Sequence, residues 1–238
     1  MKETESSTDS FDRIYRTRAA DYHELVSRED VRGNLLPALL EVTDIRGKTV
    51  IELGAGTGRI TKVLAPLAGR ILAFDGSRHM LDRAAAYLAE ELTRNVRLAV
   101  ADNHAIPLPD AYADVVIEGW SFGHSVTREG DWRNAAEQII GEALRLVSPG
   151  GTAILIETLG TGRRAPHPPG SRLPLFFSWL QEERGFAMKW IRTDYLFENL
   201  AKARELVEFF FGQMVEHDVR STGQVVVPEC TGIWWKVK

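Results

Sequence analysis

Apolar positions recur along this chain in two alternating rhythms, short unbroken runs and wider helical spacings. The first ten residues are almost wholly polar and read as a frayed tail. From Phe11 the pattern turns helical: Ile14, Arg18, Tyr22, Leu25 and Val26 share one face, and Leu35, Leu36, Leu39 and Leu40 form a second apolar set. Val50, Ile51 and Leu53 then make a short buried strand, followed by Gly54, Gly56 and Gly58 and by Ile60, Val63, Leu64 and Leu67 at helical spacing. The alternation continues. Arg70–Asp75 reads as a strand, Ser77 as the cap of a helix carrying Leu81, Ala84, Ala85 and Leu88, and Val96–Ala101 and Asp114–Glu118 as two more strands. A long helix from about Asp131 to Val147 ends at Ser148-Pro149-Gly150-Gly151, before a strand over Thr152–Glu157.

Beyond Thr158 the rhythm loosens. Residues 160–174, rich in Gly, Pro and Arg, predict an irregular loop, which leaves a central strand and could serve as a lid, with Arg163, Arg164, His167 and Arg172 able to meet an anion. A helix over Leu175–Glu183, a strand over Met188–Thr193, a helix with Leu200, Ala203, Leu206, Val207, Phe210 and Phe211, and a closing strand over Thr231–Val237 complete the prediction. Strands alternating with helices define an α/β protein with a doubly wound, mostly parallel sheet. No repeat or linker divides it, so residues 11–238 read as a single domain with a helical cap over 11–46.

The turn after the first strand carries the chemistry. Alternate glycines admit backbone angles closed to other residues and let a ligand approach the main chain, while the following helix offers free N–H groups to an anion. A dinucleotide fingerprint needs its third glycine where this chain has Arg59, so the spacing points away from NAD.

The run Glu52-Leu53-Gly54-Ala55-Gly56-Thr57-Gly58 resembles the first motif of class I S-adenosylmethionine-dependent methyltransferases, small-molecule enzymes of the methyltransferase type 11 kind. The resemblance extends from about Phe11 to Thr158. FDGSRHM resembles the second motif, which implies Asp75 on the ribose and Met80 near the adenine. Asp102-Asn103, then Ile106-Pro107, Asp110, Tyr112 and Asp114, resemble the third region, which implies Asp102 at the adenine amino group and Asn103 or His104 beside the ring. LVSPGG resembles the family's L-x-P-G-G turn with Ser148 added. The family's sheet order is 3-2-1-4-5-7-6 over seven strands. Its N-terminal helices fold over the cofactor, which makes Tyr15, Tyr22 and His23 either cofactor neighbours or simply rings docking a helix. The implied cofactor is S-adenosyl-L-methionine, contacted by Glu52, Gly54, Gly56, Gly58, Asp75, Met80, Asp102, Asn103, Glu118 and Tyr22.

Ligands of open α/β sheets bind outside the carboxyl ends of the strands. The segment after the fourth strand, Trp120, Ser121, Phe122 and His124, is therefore expected to wall the acceptor, and His124 could take a proton near neutral pH or simply lie exposed or cap a helix.

Composition narrows the acceptor. A net charge of -4 argues against broad nucleic-acid binding. The single cysteine, Cys230, leaves no internal disulfide or Cys-rich metal site, and no metal is expected. No apolar run approaches a membrane span and no secretory leader is evident, so a cytoplasmic location is expected. Glu118-Gly119-Trp120-Ser121 stands where amino-methylating DNA enzymes carry D/N-P-P-Y/F, and no Pro-Cys or Thr-Cys pair of RNA cytosine methylation is there either. The expectation is O- or N-methylation of a small molecule. A cofactor-binding module without turnover and an NAD-dependent oxidoreductase are the alternatives.

Overall fold

The computed structural model describes residues 13–89, 94–128 and 130–238; the polar tail expected over residues 1–10 lies outside them. A helical turn over residues 13–17 is followed by α1 (Ala19–Val26) and α2 (Leu35–Val42). The chain then runs β1 (Thr49–Leu53), α3 (Arg59–Leu64), β2 (Arg70–Asp75), α4 (Arg78–Ala89), β3 (Val96–Val100), β4 (Ala113–Gly119), α5 (Phe122–Thr127), α6 (Trp132–Leu146) and β5 (Val147–Thr161). It ends with α7 (Arg172–Glu182), β6 (Ala187–Arg192), β7 (Tyr195–Phe197), α8 (Leu200–Phe211), β8 (Asp218–Val219), β9 (Val225–Val227) and β10 (Glu229–Val237).

Seven strands form one sheet in the order β3-β2-β1-β4-β5-β10-β6. With β10 counted as the seventh strand, this is the expected 3-2-1-4-5-7-6. The first five are parallel, and β10 runs antiparallel to both neighbours. Side chains alternate faces along each strand. Ile51, Leu53, Leu72 and Phe74 therefore join Ile139, Ile140 and Phe176 of α6 and α7 on one side, while Val50, Ile71 and Ala73 join Leu39, Leu64 and Leu88 on the other. Each such fully buried side chain contributes about 1.5–3 kcal/mol. The start of α6 is fixed by Asp131, whose carboxylate accepts from Arg133 N at 3.0 Å and Asn134 N at 3.4 Å.

Three departures from the sequence reading have physical reasons. β5 is longer at both ends than Thr152–Glu157, because β10 pairs with it from Thr161 to Thr152 and Gly150 N donates to Lys238 O at 2.8 Å. The 160–174 segment is correspondingly shorter as a loop: its start belongs to β5, its end to α7, and Gly162 N and His167 N are tied to Pro228 O and Leu159 O. A second sheet, β7-β9-β8, was not foreseen; it packs Tyr195, Phe197, Val225 and Val227 against α8 and Leu25 of α1.

Candidate active site

The glycine turn is left-handed throughout, with φ of +69° at Gly54, +56° at Gly56 and +87° at Gly58. A Cβ at Gly54 would collide with the side chain of Ser121, so only glycine lets the two loops meet. Asp75, ending β2, holds the turn from the adjacent strand: Oδ2 accepts from Gly56 N at 2.8 Å and Oδ1 from Ser77 N at 2.7 Å. Burial pushes its carboxyl up, against these two bonds. Met80 is buried, its methyl 3.5 Å from where a Gly56 Cβ would stand. Glu52 lies beneath, accepting from Thr61 Oγ1 at 2.5 Å, and burial pushes it up to about 8.

The third region separates two residues the sequence had placed together. Asp102 faces solvent, its side chain 70% exposed, and accepts from His104 N at 2.9 Å with His104 Nδ1 at 2.6 Å. Asn103 instead turns to the glycine loop, donating from Nδ2 to Ser121 Oγ at 3.2 Å, while its buried Oδ1 has no partner. An orphaned buried acceptor beside an open glycine turn is the kind of vacancy a polar ligand fills.

Trp120 adopts φ of +57°, a strained angle for a bulky side chain. Its N–H donates to Ile156 O at 2.7 Å, and its ring carries the Arg59 guanidinium 3.4 Å from the centroid. Arg59 pairs with Glu29, which is also bonded by Thr193 Oγ1 at 2.9 Å and by Tyr195. Tyr22, Glu52, Gly54, Gly56, Arg59 and Trp120 are among the residues lining a narrow cleft at the carboxyl ends of β1 and β4. Tyr15 covers it from the N-terminal side, meeting Tyr22 edge-on at 5.3 Å and placing its hydroxyl 2.7 Å from His124 Nε2. His23 is buried further back, with Nδ1 3.0 Å from Thr57 Oγ1 and its ring on Tyr87.

Glu118 and Glu157 sit under α5. Glu118 Oε2 accepts from Ser121 N at 3.0 Å and Phe122 N at 3.1 Å, and Glu157 Oε1 from Gly123 N at 2.5 Å. Burial and the charge of Glu157 hold Glu118 well above its usual range, and burial pushes Glu157 up to about 7. Glu229 opens β10, accepting from Thr158 Oγ1 at 2.6 Å and from the Thr161 side chain, and burial with the charge of Glu29 pushes it up to about 8. Sequence reasoning missed Glu29 and Glu229. The signal for Glu229 was an acid inside the apolar run from Val225 to Trp235; Glu29, in the polar run Ser27–Asp30, gave none. Two of the three arginines proposed for the loop are engaged elsewhere: Arg164 pairs with Glu216 and Asp218, and Arg172 donates to Arg128 O.

A glycine turn, an acid on the next strand and an aromatic wall after β4, on a 3-2-1-4-5 sheet with an antiparallel insertion, define a class I methyltransferase architecture. Residues 51–155 match the family described as "Methyltransferase domain". Curated relatives include a phosphoethanolamine N-methyltransferase of Triticum aestivum, 28% identical over 58% of this chain and 27% of its own, and a demethylmenaquinone methyltransferase of Lactococcus lactis, 29% identical over 48% and 44%. This chain spans less than two thirds of the length of these relatives. The DhpI–SAH complex has the same fold at a TM-score of 0.57, with 21% identity over 94% of this chain and 95% of that one. A SAM-dependent methyltransferase from Aquifex aeolicus does so at 0.52, with 16% identity over 94% and 97%. By this domain match and by its fold, the chain is similar to the class I S-adenosylmethionine-dependent methyltransferases. No helix among the described residues is long and apolar enough to cross a membrane.

Proposed function

We propose that this chain transfers a methyl group from S-adenosylmethionine to oxygen or nitrogen of a small-molecule acceptor. The observation that carries the reading is the cleft in which the glycine turn, locked to Asp75 through Gly56 N, meets Trp120 and Tyr22. Two relatives named for phosphoethanolamine and demethylmenaquinone support a small acceptor.

The residues present fit the cofactor. Asp75 would accept from the ribose hydroxyls, Met80 would pack on the adenine, and Asn103, through its free Oδ1, takes over the polar contact the sequence had assigned to Asp102. Gly54, Gly58, Glu52 and Tyr22 shape the end of the cleft next to β4, and Glu118 acts one step back by fixing the α5 loop. When bound, the cofactor supplies a methyl group on a positively charged sulfur. Trp120 and Tyr22 exclude water and align the acceptor, an effect worth on the order of 7–11 kcal/mol. His124 is positioned by Tyr15 to take a proton from a hydroxyl or ammonium acceptor.

Calorimetric titration with S-adenosylmethionine and with S-adenosylhomocysteine tests the reading. Both should saturate, and Asp75→Ala should weaken both by roughly 1.5–3 kcal/mol, about 10- to 150-fold, through loss of a charged hydrogen-bond acceptor. Absence of saturable binding, or undiminished binding to Asp75→Ala, would sink it.

A further inference from the structure

We propose, resting on the methyl-transfer reading, that Arg59 and Tyr22 form a seat for a carboxylate in the cleft beside Trp120, a carboxylate supplied by the methionine half of the cofactor or by the acceptor. Arg59 stands where a dinucleotide fingerprint would carry its third glycine, and none of the cofactor contacts assigned above uses its side chain. It nevertheless lines the cleft together with Tyr22 and Trp120.

A guanidinium presents five N–H donors in one plane. Arg59 gives one nitrogen to Glu29 and lays its flat face on the Trp120 indole, 3.4 Å from the centroid. Among the described residues no other acceptor meets its remaining N–H groups, and its side chain is one-fifth exposed, so a ligand in the cleft can reach them. Glu29 secures the guanidinium from behind, since it is itself held by the Thr193 hydroxyl at 2.9 Å and by Tyr195. A fork already fixed at one nitrogen and along one face loses little freedom when a second anion arrives. The Tyr22 hydroxyl likewise donates to no described residue, and of the charged groups around it Arg59 acts on it most strongly. Burial raises its pKa, so it stays a donor.

The surroundings do not oppose an anion there. Glu52, which lines the same cleft, is held near 8 and is uncharged at neutral pH, and the charge of Asp75 is turned to Gly56 N and Ser77 N. A carboxylate has lone pairs for both an Arg59 N–H and the Tyr22 O–H, and bonds between charged partners are the stronger kind. An ammonium group would be repelled by the guanidinium, and a hydroxyl would bring no charge to it. No bond is made or broken at this seat; it fixes the direction in which the ligand's chain leaves the cleft.

The full chain is titrated calorimetrically with S-adenosylhomocysteine and with its decarboxylated analogue, which lacks only the carboxylate. If neither binds, the methyl-transfer reading falls and takes the proposal with it. A preference for S-adenosylhomocysteine of at least about tenfold, cut to within about twofold in Arg59→Met and reduced in Tyr22→Phe, assigns the seat to the cofactor. Where Arg59→Met does not fold, its combination with Glu29→Gln, which strands no charge, takes its place. The ratio of two affinities is a quantity that a purely structural link between Arg59 and Glu29 would leave alone. In a second arm the chain is saturated with S-adenosylhomocysteine and its Tm is followed with acetate, propionate and phenylacetate, and with the matched alcohols at equal ionic strength. A rise with the carboxylates alone, lost in the same variants, assigns the seat to the acceptor. Equal affinity for the two adenosyl compounds together with no carboxylate-specific rise, or discrimination that persists unchanged in the variants, would overturn the proposal.

Discussion

Replacing Arg59 by methionine removes the guanidinium that links the N-terminal cap to the aromatic wall and leaves Glu29 behind with a side chain 2% exposed. Breaking a buried pair by deleting one partner costs about 3–5 kcal/mol, because the surviving charge has no counterion. Two features place Arg59→Met at the lower end. Its own side chain is one-fifth exposed, and Thr193 and Tyr195 still donate to Glu29. Loss of the Trp120 stack adds about 1 kcal/mol, for an expected total of about 4 kcal/mol. In a chain of this size, at about 2–4 °C per kcal/mol, the fall in Tm is roughly 8–16 °C. Glu29→Gln in the same background removes the stranded charge, so the double variant should recover about 2 kcal/mol relative to Arg59→Met. Urea unfolding of the wild type, both single variants and the double variant gives the coupling energy directly. A loss under 1 kcal/mol in Arg59→Met, or strict additivity in the cycle, would refute the argument that this pair is a sealed ionic link.

Two further outcomes follow from the same buried groups. Glu52 is held near 8 in the folded chain against an ordinary 4.5, so between those values the folded state keeps a proton that the unfolded state releases. Stability should therefore fall as pH rises across that window, by up to about 1.4 kcal/mol per pH unit from this group, and Glu52→Gln should reduce the pH dependence of the urea midpoint by that share, Glu118, Glu157 and Glu229 keeping theirs; an unchanged slope would show that Glu52 does not contribute. On the proposed reading that the indole walls the acceptor, and with its backbone, not its ring, pinned to Ile156, Trp120→Ala should cut turnover while leaving cofactor affinity within about threefold; a large loss of cofactor affinity with normal turnover would reverse that assignment.

Much of the scaffold was legible because its signals are local. The strand, glycine turn and helix from Thr49 to Leu64 can be read from periodicity and backbone freedom alone, and Asp75 ends its strand where the turn needs an acceptor. Val225–Val227 and Tyr195–Phe197 were not legible as a second sheet, because three residues carry no usable periodicity and their pairing is set by α8 and α1 packing over them. The ionic link behind the cleft was missed for a related reason. Glu29 looks like one more polar residue in a charged run, and only the path of the chain from α1 to β7 brings it against Arg59. Asp102 shows the converse: its strand-end position is right, but the neighbouring His104 captures the side chain and leaves the turn to Asn103.

The placement of β10 between β5 and β6 has a consequence in time. The ribosome makes β6 before the strand that must separate it from the rest of the sheet, and the 37 positions from Arg192 to Glu229 (229 − 192) take about 2–7 s at 5–20 residues per second. Throughout that interval β5 presents an open edge, and β6 has no sheet to join. Glu229 is the first residue of the strand that closes the gap, so β6 joins the sheet only in the event that completes it.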